Sequence, residues 1–78
     1  MTIKQAFRLL HADTNGLIYK PTFDINFIDD SGDVSETQFT ANSFKSAVNE
    51  LNEFFTDFCQ YNGYKANSVI SITLVNYS

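Results

Sequence analysis

Between residues 43 and 62 the chain reads SFKSAVNELNEFFTDFCQYN, and its apolar positions fall on a helical period. Phe44, Val48, Leu51, Phe55 and Phe58 recur at steps of four, three, four and three, and Ala47 and Phe54 widen the stripe. That is the period of a helix with one face turned to a core. Asn42 or Ser43 supplies a side-chain oxygen to cap the start, and Gly63 is placed to end the helix in a left-handed conformation. The spacing predicts a helix over 43–62.

Other stretches alternate with period two. In TFDINF, Phe23, Ile25 and Phe27 share one face while Thr22, Asp24 and Asn26 share the other, which predicts a strand with one wet face. Pro21 has no amide hydrogen and belongs at that strand's start or at a sheet edge. VSETQFTA is a weaker strand, with Phe39 inward and Glu36, Gln38 and Thr40 outward. SVISITLVNYS is β-branched and alternating, so a strand is expected over 68–76, with Ile70, Ile72 and Leu74 on one face and Ser71 and Thr73 on the other.

The first sixteen residues satisfy both periods. TIKQAFRLLHA alternates as Ile3, Gln5, Phe7 and Leu9, and the Asn15-Gly16 pair that follows is a hairpin signal leading into residues 17–28. The same residues contain helix formers, a capping-box spacing from Thr2 to Gln5, and Ile3, Phe7 and Leu10 on one helical face. The strand reading is taken first and the helix as its alternative. The expected fold is α+β: a small antiparallel or mixed sheet of three to four strands with one long amphipathic helix on one face. Its order is β-β-β-α-β, or α-β-β-α-β with an N-terminal helix, and residues 1–78 form one domain.

Composition narrows what such a domain can do. Apolar residues make up 44 % and charged residues 18 %, a globular balance, and eight Phe and four Tyr supply large buried areas to a chain of 78 residues. Cys59 is the only cysteine, so no internal disulfide forms and no cysteine cluster can hold zinc. With no signal-peptide pattern and no long apolar run, a cytoplasmic setting is expected and no membrane partner. Nine acids face five bases, a net charge of −4, and Arg8 is the only arginine. Phosphate-backbone binding requires clustered Lys and Arg, so direct nucleic-acid binding is not expected.

Catalytic parts are also missing from the pattern. His11 is the only histidine, and no nucleophile-elbow motif surrounds a serine or Cys59. The three glycines, at 16, 32 and 63, are isolated and make no phosphate-cradling loop. No catalytic residue, cofactor or metal site is therefore expected, and Cys59 is expected at the core's edge as a small hydrophobe.

What remains is the distribution of acids. FIDDSGDVSE, residues 27–36, places Asp29, Asp30, Asp33 and Glu36 around Gly32 with no base between residues 21 and 44. A calcium loop counted from Asp29 finds Ser31 and Asp33 at its third and fifth positions. It then fails, with Val34 where glycine is required and Thr40 where the bidentate acid belongs. A hairpin turn needs only the positive φ of Gly32 and an Asp or Ser side chain on nearby amides, so Asp30–Asp33 is expected to be a turn. A second acidic run, Glu50, Glu53 and Asp57, lies on the helix face opposite the phenylalanines, and no base falls between residues 46 and 64. Like charges at this spacing repel, and acids in a helix's second half oppose its dipole. These seven acids are the candidate protein-interaction residues; the alternative is a solvated face kept acidic for solubility. Phe54, Tyr61, Tyr64, Tyr19 and Ile28 are surplus to the core stripes. They are expected to pack under the N-terminal segment or to form a homodimer or partner patch.

Across FDINFIDDSGDVSETQFTANSFKSAVNELNEFF the chain resembles the short acidic proteins of phages and mobile elements, and among them is similar in kind to anti-CRISPR inhibitors. The likeness lies in size, acidity and the sheet-plus-helix layout, and carries over no individual residue. It implies a non-catalytic inhibitor that binds a host protein or nucleoprotein complex through a basic surface. The alternative from the residues alone is a small homo-oligomeric accessory protein with an aromatic interface.

Overall fold

A computed structural model describes residues 1–10 and 20–75. The elements are α1 (Ile3–Arg8), β1 (Thr22–Ile28), β2 (Val34–Thr40), α2 (Ala47–Asn62) and β3 (Val69–Leu74). The sheet is antiparallel and three-stranded in the order β2-β1-β3. Since β2 and β3 both oppose β1, they run parallel to one another, and a crossover of a dozen or more residues must join them. Helix α2 is that crossover and covers one face of the sheet. The fold is α+β, with the sheet and long helix that the residue pattern predicts.

Strand β1 sits in the middle, paired with β2 on one side and β3 on the other, and its alternation turns one face into the core. Phe23, Ile25 and Phe27 are buried at 0–2 % exposure, and α2 returns Ala47, Leu51, Phe55 and Cys59 against them. The Phe27 ring meets Phe55 edge-on at 5.5 Å and Phe58 at 5.6 Å, an arrangement that aromatic quadrupoles favour. Burying one such side chain contributes about 1.5–3 kcal/mol. Gly63 closes α2 at φ +78°, its amide bonding to the Cys59 carbonyl, and the chain then folds Tyr64 back onto Phe27 at 5.3 Å.

Of the two readings of the N-terminus, the helical one is realised at Ile3–Arg8. Thr2 Oγ1 accepts from the Gln5 amide at 3.2 Å and Gln5 Oε1 accepts from the Thr2 amide at 2.9 Å, completing the capping box. Burial decides between the two periods. A helix buries Ile3 and Ala6 and sets the Phe7 ring 5.8 Å from Phe23 and 5.7 Å from Phe44. A strand would have turned Leu9 inward with Phe7, and Leu9 is 63 % exposed. The Asn15-Gly16 hairpin signal, His11 and Tyr19 lie outside the described residues.

Two boundaries differ from the sequence pattern for identifiable reasons. Helix α2 starts at Ala47, not at residue 43. Ser43 Oγ accepts from the Ser46 amide at 3.2 Å and the Ala47 amide bonds to Phe44 O at 3.2 Å, so residues 44–46 form a tighter turn ahead of the helix. In β3 the pairing with β1 shifts between Asn26 and Phe27: Asn26 is opposite Ser71 but Phe27 is opposite Val69. Ile70 is the extra residue of this bulge, so Val69 takes the inward position and Ile70 is left 42 % exposed.

Candidate interaction surface

The uncovered face of the sheet is polar and satisfies itself in pairs. Thr22 and Thr40 share a hydroxyl–hydroxyl bond of 2.8 Å, Gln38 Nε2 donates to Asp24 Oδ1 at 2.7 Å, and Asn26 Nδ2 donates to Ser71 Oγ at 3.3 Å. These are cross-strand neighbours in the observed register, the unit of sheet stabilisation. Glu36 stands on the same face opposite Asn26, exposed.

The hairpin between β1 and β2 is built around Asp29. Its amide bonds to Asp33 O at 2.9 Å and its carbonyl accepts from the Gly32 amide at 3.1 Å, leaving Asp30, Ser31 and Gly32 as a three-residue loop. Gly32 takes φ +83°, the left-handed residue that such loops require. The Asp29 carboxylate organises the interior of the turn. Oδ1 accepts from the Ser31 amide at 2.9 Å and the Asp33 amide at 3.0 Å, and Oδ2 accepts from the Ser35 hydroxyl at 2.9 Å. The Asp33 amide, followed by the Ser35 hydroxyl, holds this carboxyl below its ordinary value of 3.8. The turn expected from the residues is present, and it assigns Asp29 a local role distinct from its neighbours. Asp30 and Asp33 project exposed from the same turn. Among the described residues no three His, Cys, Asp or Glu side chains are grouped to hold a metal ion.

The helical acids divide in a similar way. Because α2 begins at Ala47, Glu50 lies in its first turn, where the helix dipole favours an acid. Its carboxylate accepts from the Asn42 amide at 3.2 Å and from Asn42 Nδ2 at 2.9 Å, and the Ser46 hydroxyl donates to it as well. Glu50 thus ties the β2–α2 connection to the helix and is only half exposed. Glu53 and Asp57 are exposed, and one turn beyond them on the same side Tyr61 is 91 % exposed.

Asp57, Gln60 and Tyr61 line one shallow depression. Across a second groove, Asp29 and Asp30 face Gly63, Tyr64 and Lys65. The acidic turn therefore stands at the C-terminal end of α2, the end that carries Asp57 and Tyr61, with Lys65 as a base beside it. Glu50 is at the opposite end of the helix. The surplus aromatics divide too: Phe54 stacks on Phe39 at 4.7 Å, Tyr64 packs on Phe27 and Phe58, and Tyr61 alone of these three is solvent-facing. Cys59 is buried, and burial pushes its thiol up, away from the reactive thiolate.

No known family model, curated protein or solved structure matches the chain. No helix among the described residues is long and apolar enough to cross a membrane.

Proposed function

We propose that the protein is a non-catalytic protein-binding module whose partner presents a basic surface. The observation that carries this reading is the exposed row Glu53–Asp57–Tyr61 on α2. Among the described residues the two acids there make no hydrogen bonds like those of Asp29 and Glu50, and a tyrosine exposed to 91 % extends the row. Tyrosine is enriched among the residues that dominate binding energy, and complementary charge around such an anchor steers encounter and fixes register. Asp30 and Asp33, on the turn at the same end, extend the acidic field beyond the helix. The resemblance to anti-CRISPR inhibitors gives the specific form of the proposal, stoichiometric inhibition of a host nuclease or its complex.

The test expresses the protein in bacteria with active CRISPR immunity and compares it with the Glu53→Gln/Asp57→Gln/Tyr61→Ala variant. Rescue of phage plating by the wild type and its loss in a folded variant are expected, together with partner capture that weakens as salt rises. Absence of rescue across such strains removes the inhibitor form. Salt-independent capture, or a folded variant that captures its partner unchanged, removes the basic-surface reading itself.

A further inference from the structure

Strand β2 is an edge of the sheet, and apart from the exposed Glu36 it lacks the proline, lysine and bulge by which natural edges are kept from pairing. Its seven residues, VSETQFT, contain no proline and no lysine, and its register with β1 runs without a bulge. Among the described residues no strand pairs with its other side. An edge in this condition presents a row of backbone donors and acceptors that another extended chain can use.

The side chains on this edge are specific. Val34 is 66 % exposed and lies directly across from half-buried Ile28, while the bulge leaves Ile70 of β3 exposed at the same end of the uncovered face. Three aliphatic residues from three strands thus interrupt a face that is otherwise polar. Two residues along the edge from Val34, and on the same face, stands Glu36, and Asp30 and Asp33 flank Val34 from the turn. No base lies between Lys20 and Lys45 in the sequence. A strand laid beside β2 would bring alternate side chains onto this face, one against Val34 and the next against Glu36. A second copy of β2 carries no base to set against Glu36.

We infer that β2 is a strand-addition site for an extended segment of a partner protein carrying an aliphatic side chain and a lysine or arginine two residues apart. This deepens the proposed function and rests on its requirement for a basic partner. It assigns the backbone contacts to β2 and leaves the α2 row as a separate part of the surface.

The probe is a synthetic peptide with valine and lysine two residues apart on one strand face and threonine at the intervening positions (Val-Thr-Lys-Thr), titrated into the isotope-labelled protein and followed by amide NMR. Three comparison peptides accompany it: valine with glutamate, serine with lysine, and the valine–lysine peptide N-methylated along one edge. Binding of the valine–lysine peptide should shift Val34–Thr40 and slow amide exchange there. It should weaken several-fold with serine for valine, with N-methylation, and in the Val34→Ser and Glu36→Lys proteins, whose substitutions are at exposed positions and leave the fold intact. Equal binding of the N-methylated peptide overturns strand addition. Shifts confined to Glu53, Asp57 and Tyr61 overturn it while sparing the proposed function, whereas equal binding of the glutamate peptide removes the basic partner from both. Outward amides of β2 already protected in the free protein, or no binding by any peptide, also overturn it.

Discussion

Asp29 shows how one carboxylate in a crowded acidic stretch can serve the fold while its neighbours do not. Three donors converge on it, two backbone amides and the Ser35 hydroxyl, and they favour its charged form. Its folded value lies below the unfolded one near 3.8. The stabilisation is therefore fully present above about pH 4 and is lost as pH falls through the folded value. Asp29→Asn keeps the shape and removes the charge. The variant should melt below the wild type at neutral pH, and the two melting temperatures should converge in acid, as followed by circular dichroism across a pH series. A gap of constant size at every pH would assign the effect to geometry alone. The sequence revealed the turn, since Gly32 and the Asp/Ser pattern have a direct conformational meaning. It did not distinguish Asp29 from Asp30 and Asp33, because which carboxylate points into a turn depends on the turn's backbone.

At the scale of elements, the start of α2 separates acids that the helical period groups together. On sequence spacing, Glu50, Glu53 and Asp57 form one uniform stripe, and replacing all three with glutamine is expected to leave stability level or slightly higher. The structure sets Glu50 apart: it bridges Asn42 and Ser46 at the helix N-terminus. Glu50→Ala should cost roughly 1–2 kcal/mol in urea unfolding, the range for lost caps and charge-assisted hydrogen bonds. Glu53→Gln with Asp57→Gln should be neutral or stabilising by about 0.2–0.5 kcal/mol, because a like-charge pair four residues apart is relieved. Equal effects from the two sets would return Glu50 to the solvated stripe. The same reasoning explains which elements could be read. Strand β1 and the face of α2 carry dense periodic signals, and each is fixed by its own residues. The N-terminal segment fits two periods, and the choice is made by Phe23 and Phe44, which lie far along the chain. The bulge that expels Ile70 is a pairing irregularity with β1, and alternation within β3 contains no trace of it.

At the scale of the whole molecule, the described residues form one layer of sheet under one long helix, with α1 completing the core, and stability depends on a short list of side chains. Phe55 is central to that list. It is 1 % exposed, meets Phe27 edge-on at 5.5 Å, and stacks beside Phe58 at 6.0 Å. Much of the proposed binding surface is arranged by the same packing: Glu53, Asp57 and Tyr61 occupy their common side because Leu51, Phe55 and Cys59 hold the opposite side of α2 against the sheet. The acidic half of that surface was legible as unneutralised charge on a helix face. The edge of β2 was not, since a strand's place in a sheet is a property of its partners. Truncating Phe55→Ala removes a ring that no neighbour can replace without moving the helix, and such truncations cost about 3–5 kcal/mol. A domain of this length has roughly 4–12 kcal/mol in total at 0.05–0.15 kcal/mol per residue. Phe55→Ala should therefore remove between about a quarter and all of that total, lowering the urea midpoint by the same fraction. Tyr61→Ala, on the same helix but facing solvent, should leave the midpoint within about 0.5 kcal/mol of wild type. A Phe55 variant as stable as the Tyr61 variant would mean that α2 does not pack its phenylalanine face on β1, and the placement of the Glu53–Asp57–Tyr61 row would fall with it.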